Sequence, residues 1–82
     1  MTHFAHFIRQ RRQQLGKTQA QVAAACGITQ GAITLIELGQ RQMDLKHLVP
    51  LAQVLETNLA DLSRLALEVR VPGFAAALGS IQ

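Results

Sequence analysis

Arg9, Arg11, Arg12 and Lys17 fall within nine positions, and Arg41 and Lys46 form a second, looser group. Side chains of this kind bind anions, and a formal charge of +3 agrees in sign. A solvated helix face would carry the same charges, so their placement matters more than their sum. The groups that catalysis needs are scattered. Cys26 is the only cysteine, so it forms no internal disulfide and lacks partners for a structural zinc site. His3 and His6 are spaced i,i+3 and could share a helix face, but no cysteine or carboxylate ligand stands near them, and His47 is isolated. There is no Ser/His/Asp or Cys/His grouping, no glycine-rich phosphate loop and no paired carboxylates. The expectation is a chain that is not an enzyme and carries neither metal nor cofactor.

What remains is a set of neutral hydrogen-bonding side chains, Gln19, Thr29, Gln30 and Thr34, and the elements that must position them. At 82 residues the chain makes one small globular unit. Apolar residues make up 49%, but only three are aromatic. The core must therefore be aliphatic. A domain of this size leaves no room for a large substrate pocket beside its core.

Helical spacing predicts five helices. The first is capped by Thr2, with Phe4, Phe7, Ile8 and Leu15 apolar and Gly16 as its stop. The second opens at Thr18, where Gln21 completes a Thr-x-x-Gln capping box. It buries Val22, Ala23 and Cys26 and ends at Gly27. The third, capped by Thr29, runs from about Gln30 to Leu38 with Ile33 and Ile36 inward, and Gly39 closes it. The fourth is capped by Asp44, with Leu45, Leu48, Leu51, Ala52 and Leu55 inward. Pro50 removes a backbone donor there and predicts a bend or a later start. Asn58 caps a short fifth helix carrying Leu59 and Leu62. Beyond Arg64, Leu67, Val69 and Val71 alternate with Glu68 and Arg70, a period of two that reads as a short strand over 66–71. Pro72-Gly73 breaks it, and an Ala-rich tail follows with Phe74 and Leu78 at i,i+4. This divides the chain into a domain over 1–65 and a C-terminal segment over 66–82.

The informative piece lies between Thr18 and Leu38. Two short capped helices meet at a tight glycine turn. Ala23 allows close contact, and Val22, Ile28, Ile33 and Ile36 fill the angle. This arrangement presents the second helix outward, and a major groove about 12 Å wide admits such a helix. Its exposed positions should be Gln30, Gly31, Thr34 and Leu35. The stretch over 8–62 resembles the phage-repressor-like helix-turn-helix proteins, the Cro/repressor or XRE group. The likeness rests on Arg12, Thr18-Gln19, Val22-Ala23, Gly27-Ile28-Thr29, Ile33, Ile36-Glu37 and Gly39.

The resemblance implies an all-α, five-helix, lambda-repressor-like DNA-binding domain with a short C-terminal extension. It implies that Gln19 contacts a phosphate and braces the recognition helix. Gln30 would be the main base-reading residue, its amide suited to adenine N7 and N6, and Thr34 would hold a second reading position. Thr29 would cap the helix beside the DNA backbone. Arg12 and Glu37 would form a structural ion pair. Lys17 and Arg41 are candidates for phosphate contacts. Two positions depart from the family pattern. Gly31 has no side chain where many members place a polar reader. Leu35, commonly polar, could meet a thymine methyl or simply pack.

One recognition helix buries too little for good specificity, so a homodimer reading two half-sites is expected. Leu65, Leu67, Val69, Val71, Phe74 and Leu78 supply its contact surface. Double-stranded DNA is the expected partner and the cytoplasm, about the nucleoid, the expected place, since no apolar run approaches a membrane span and the N-terminus does not read as a signal peptide. The expected role is a sequence-specific transcription regulator, most simply a repressor. Two other readings stand beside it: an antitoxin that also binds its toxin, and an interaction module that binds no DNA, favoured by Gly31 and Leu35.

Overall fold

The computed structural model describes residues 3–70. Thr2, expected to cap the first helix, and Val71, Phe74 and Leu78, expected in the dimer contact, lie outside them. All regular structure among the described residues is helical: α1 (His3–Gln14), α2 (Gln19–Cys26), α3 (Gln30–Glu37), α4 (Leu48–Val54) and α5 (Leu59–Arg70). No helix among them is long and apolar enough to cross a membrane.

The helices begin where side-chain oxygens take up orphan N–H groups. Thr18 Oγ1 accepts from Gln21 N at 3.1 Å, and Gln21 Oε1 accepts from Thr18 N at 2.8 Å, which closes the capping box. Thr29 Oγ1 accepts from Ala32 N at 3.1 Å. Asn58 Oδ1 accepts from Ala60 N at 2.7 Å and Asp61 N at 3.3 Å. Asp44 caps a single 3-10 turn, Leu45–His47, and α4 starts only after it. Pro50 thereby falls in the first turn of α4, where a missing N–H costs nothing.

The turn between α2 and α3 is the element on which the site depends. Gly27 takes φ 71, its N–H reaches Ala24 O at 3.2 Å, and Ile28 N reaches Ala23 O at 3.0 Å. This is a Schellman closure, and it needs a left-handed residue at its centre. A Cβ on Gly27 would meet nothing within 4 Å. Gly27→Ala should therefore cost only backbone strain, about 1 kcal/mol, read as a lowered midpoint in urea with unchanged slope. A loss several times larger would mean that the turn itself had been displaced.

The core joins Phe4 and Ile8 of α1, Val22, Ala23 and Cys26 of α2, Ile33 and Ile36 of α3, Leu48, Leu51 and Ala52 of α4 with Leu55 just beyond it, and Leu62 and Ala66 of α5. Met43, in the loop after α3, is buried with them. Burial raises the Cys26 thiol above its ordinary range, which disfavours the thiolate and leaves it a packing residue. Leu45, expected inward, is exposed, and so is Leu59 of the fifth helix.

The strand expected over 66–71 is corrected within the described residues: 66–70 belong to α5, which is continuous through Arg70. Leu62 and Ala66 are spaced i,i+4 and both are buried, with Leu65 packed alongside. That helical face rests on α1 and α4 and outweighs the alternation of Leu67 and Glu68. The helix runs on past residue 65, and Ala66, the first residue of the expected C-terminal segment, is buried with the core.

Candidate nucleic-acid interface

Helix α3 carries two opposed faces. Ala32, Ile33, Ile36 and Glu37 point inward, while Gln30, Gly31 and Leu35 are exposed and Thr34 is half-buried. Leu38, the residue that caps its C-terminus, is 49% exposed and adds to the outer face. The side chain of Gln30 has no hydrogen-bond partner among the described residues, so both its amide donor and its acceptor are free.

Behind this face lies a network that joins three helices. Arg12 of α1 donates to Glu37 of α3 through Nε at 2.7 Å and Nη2 at 3.0 Å, a bidentate pair. Arg12 Nη1 also donates to the Lys17 carbonyl at 2.9 Å, just ahead of α2. Gln19, the first residue of α2, donates from Nε2 to Glu37 Oε1 at 3.2 Å. Its Oε1 accepts from the Thr34 hydroxyl at 2.8 Å. Amide donors and acceptors are assigned by such networks, and here both ends of Gln19 have a complementary partner. The Thr34 hydroxyl also lies 3.1 Å from the Gln30 carbonyl. Its single proton is therefore committed within the protein, and towards a ligand Thr34 offers a lone pair and a methyl group.

The Glu37 side chain is only 4% exposed and that of Arg12 13%. The hydrogen bond to Glu37 raises the guanidinium above its ordinary pKa, with burial acting in the opposite sense. A cation whose folded pKa is raised contributes its stability fully below the unfolded value and loses it only above the raised one. For an arginine that window lies at extreme alkali, so the Arg12 guanidinium stays charged at any working pH.

Glu37 is the only acid on α2 or α3, and it is buried and paired. The outer face of the helix pair therefore bears no exposed carboxylate of its own. Cations flank it. Lys17 precedes α2 and is half-buried, whereas Arg41 is exposed in the loop after α3. Arg41, Lys46 and His47, together with Gln42 and the exposed carboxylate of Asp44, line a concavity of about 200 Å³ with Ile28, Ala32, Ile36 and Met43. A second hollow of about 160 Å³ is lined by Arg9, Arg12, Gln19, Thr34, Glu37 and Leu38. Thus Gln19, Thr34, Arg12 and Glu37 are brought together. Thr29, Gln30 and Gly31 share the exposed start of α3 and Leu35 lies further along the helix, while Arg41 lines a hollow with Ala32 and Ile36 and Lys17 stands ahead of α2.

Arg11, named in the sequence only as one of a basic group, has a structural role. Its Nε donates to the Leu55 carbonyl at 2.8 Å and Nη2 to the Glu56 carbonyl at 3.1 Å, which holds the end of α4 against α1. Of the residues expected to dimerise, Leu65 packs against the core and Leu67 is half-buried. Among the described residues no three His, Cys, Asp or Glu side chains come together as metal ligands.

Comparison with known proteins agrees with this geometry. A family described as helix-turn-helix matches residues 8–62, two-thirds of the chain. No curated protein matches it. The matched segment begins at Ile8, within the core of α1, and ends at Leu62, the buried anchor of α5. The chain belongs to the helix-turn-helix family, the DNA-binding domains of Cro/repressor type.

Proposed function

We propose that the protein is a sequence-specific transcription regulator, most simply a repressor, that sets the first turn of α3 in the major groove. Gln30 reads a base edge and Thr34 accepts from a second. Gln19 and Thr29 meet the DNA backbone at the helix starts, and Lys17 and Arg41 grip phosphates on either side. The observation that carries this reading is the free Gln30 amide at the exposed start of a helix whose other polar side chains are tied down. Freezing Gln19 and Thr34 in one arrangement presents Gln30 from a rigid support, which is what base readout requires.

Fluorescence anisotropy with a random duplex tests the reading. At low salt, binding should be micromolar or tighter, and log affinity should fall linearly with log salt as condensed counterions are released. No binding at micromolar protein would instead favour the interaction module, for which the exposed Leu35 and Leu38 would be the contact.

We also infer that the chain acts as a homodimer through the segment after α5, so that two α3 helices reach half-sites about 34 Å apart. Because Ala66 is a core residue, the truncation that probes this belongs after Arg70. Sedimentation should give a dimer for the full chain and a folded monomer for residues 1–70. A dimer in both would place the contact on the helical body.

A further inference from the structure

The larger hollow, behind α3, has a lining of two kinds. Ile28 of the turn, Ala32 and Ile36 of α3 and Met43 of the following loop are its apolar part, while Arg41 and Lys46 bring cationic heads to it. Asp44 is the one carboxylate there, and it is already engaged: its Oδ1 accepts from Lys46 N at 3.1 Å as the cap of the 3-10 turn. The Arg41 and Lys46 side chains are exposed and have no partner among the described residues. Two cations against one carboxylate leave the hollow positive, and neither cation is tied into the fold.

Size and lining together define an occupant. An apolar cavity of about 150 Å³ takes a benzene ring, so a hollow of about 200 Å³ takes a ring-sized body with one small polar group. A bare inorganic anion would leave the apolar lining without a contact, and a neutral ring would gain nothing from the two cations. We propose that the hollow binds a small organic carboxylate with a ring-sized apolar body. Arg41 and Lys46 hold the carboxylate, and the body lies against Ile28, Ala32, Ile36 and Met43. The arginine fork suits a carboxylate, which it meets with two parallel hydrogen bonds. Under the DNA-binding reading above, Arg41 also grips a phosphate. A guanidinium turned onto a bound carboxylate is lost to that phosphate. The ligand therefore weakens the hold on DNA, and DNA expels the ligand to the same degree, since coupling between two ligands is reciprocal.

The test uses the full isotope-labelled chain, free of DNA, with sodium benzoate as the probe. The amide signals of Ile28, Ala32, Ile36 and Met43 should shift saturably at roughly millimolar concentration. Acetate and inorganic phosphate, which lack the ring, and benzyl alcohol, which lacks the charge, should each bind several-fold more weakly. Arg41→Gln and Lys46→Gln should each lose about fivefold in benzoate affinity, the worth of one exposed charge pair. Anisotropy with a random duplex then reads the coupling. Saturating benzoate should weaken duplex binding several-fold against chloride at equal ionic strength and lower the salt slope by about one. Arg41→Gln should not respond to it. The proposal is overturned if benzoate shifts none of those amides. It is equally overturned if acetate, phosphate or benzyl alcohol binds as well as benzoate, or if both variants hold benzoate as tightly as the wild type does. Duplex binding unmoved by bound benzoate would overturn the link to DNA. A chain that holds benzoate in this way but binds no duplex would keep the site and refute the parent reading.

Discussion

Arg12→Met should lower stability by about 3 kcal/mol, the effect of leaving a buried carboxylate without its cation. Methionine keeps the length and apolar character of the arginine stem but removes both hydrogen bonds to Glu37. Glu37 would retain only the amide of Gln19, at 3.2 Å, while 4% exposed. A small domain holds roughly 5–15 kcal/mol in all, so the variant should melt on the order of 15 °C lower. The cause can be separated from lost packing. Arg12→Met combined with Glu37→Leu removes the stranded charge as well as its partner, and should recover much of the loss. If Arg12→Met alone stays within about 0.5 kcal/mol of wild type, the range of surface substitutions, the pair is screened by water and the bracing role falls. The pair spans the first and third helices, so its loss should also loosen Gln19 and, through it, Thr34.

Gln30→Ala should show the opposite profile. The side chain is exposed and without a partner among the described residues, so stability should hardly change. Affinity for a selected site should fall by about 1–3 kcal/mol, and specificity at one base pair should relax. Arg41→Ala is the contrasting variant. A phosphate contact carries no sequence information, so all duplexes should weaken alike and the salt slope should drop by about one. Anisotropy titrations of both variants against cognate and scrambled duplexes separate the two behaviours. Unchanged cognate affinity for Gln30→Ala would show that the wrong face of α3 had been assigned.

The parts of the fold legible in the sequence are those whose ends are written in side chains. Thr18 with Gln21, Thr29 and Asn58 announce helix starts, and Gly27 announces a stop, because each residue type performs a local bond that no neighbour can supply. The end of α4 carries no such sign. It closes with the same backbone pattern, Glu56 N to Gln53 O at 3.2 Å and Thr57 N to Ala52 O at 3.0 Å, but the left-handed residue is Glu56, at φ 51. Arg11, 44 positions from Leu55, holds the Leu55 and Glu56 carbonyls of that turn, and no local pattern encodes a bond of that span. The length of α5 was misread for a related reason. Apolar residues at alternate positions fit a strand, and only the burial of a small residue, Ala66, reveals the helical face. Ile8, Val22, Ile33 and Leu51 needed no tertiary knowledge, since their spacing alone set them inward.

The candidate site divides in the same way. The outer positions of α3 follow from its period, except Leu38, which lies where the helix stops and periodicity no longer assigns a face. The pairing of Arg12 with Glu37 came from likeness to a family, because 25 intervening residues hide it from any local reading. The commitment of the Thr34 proton to Gln19 is visible only in three dimensions. It changes the chemistry of that position from donor and acceptor to acceptor alone.

The central claim is that the first turn of α3 contacts DNA directly. The most direct measurement is an amide NMR titration of the isotope-labelled chain with its selected duplex. The Gln30 side-chain NH₂ and the backbone amides of Gln30, Gly31 and Thr34 should show the largest shifts, with Arg41 moving less and α5 little. If the duplex binds while those signals stay in place and the shifts gather elsewhere, α3 is not the reading helix.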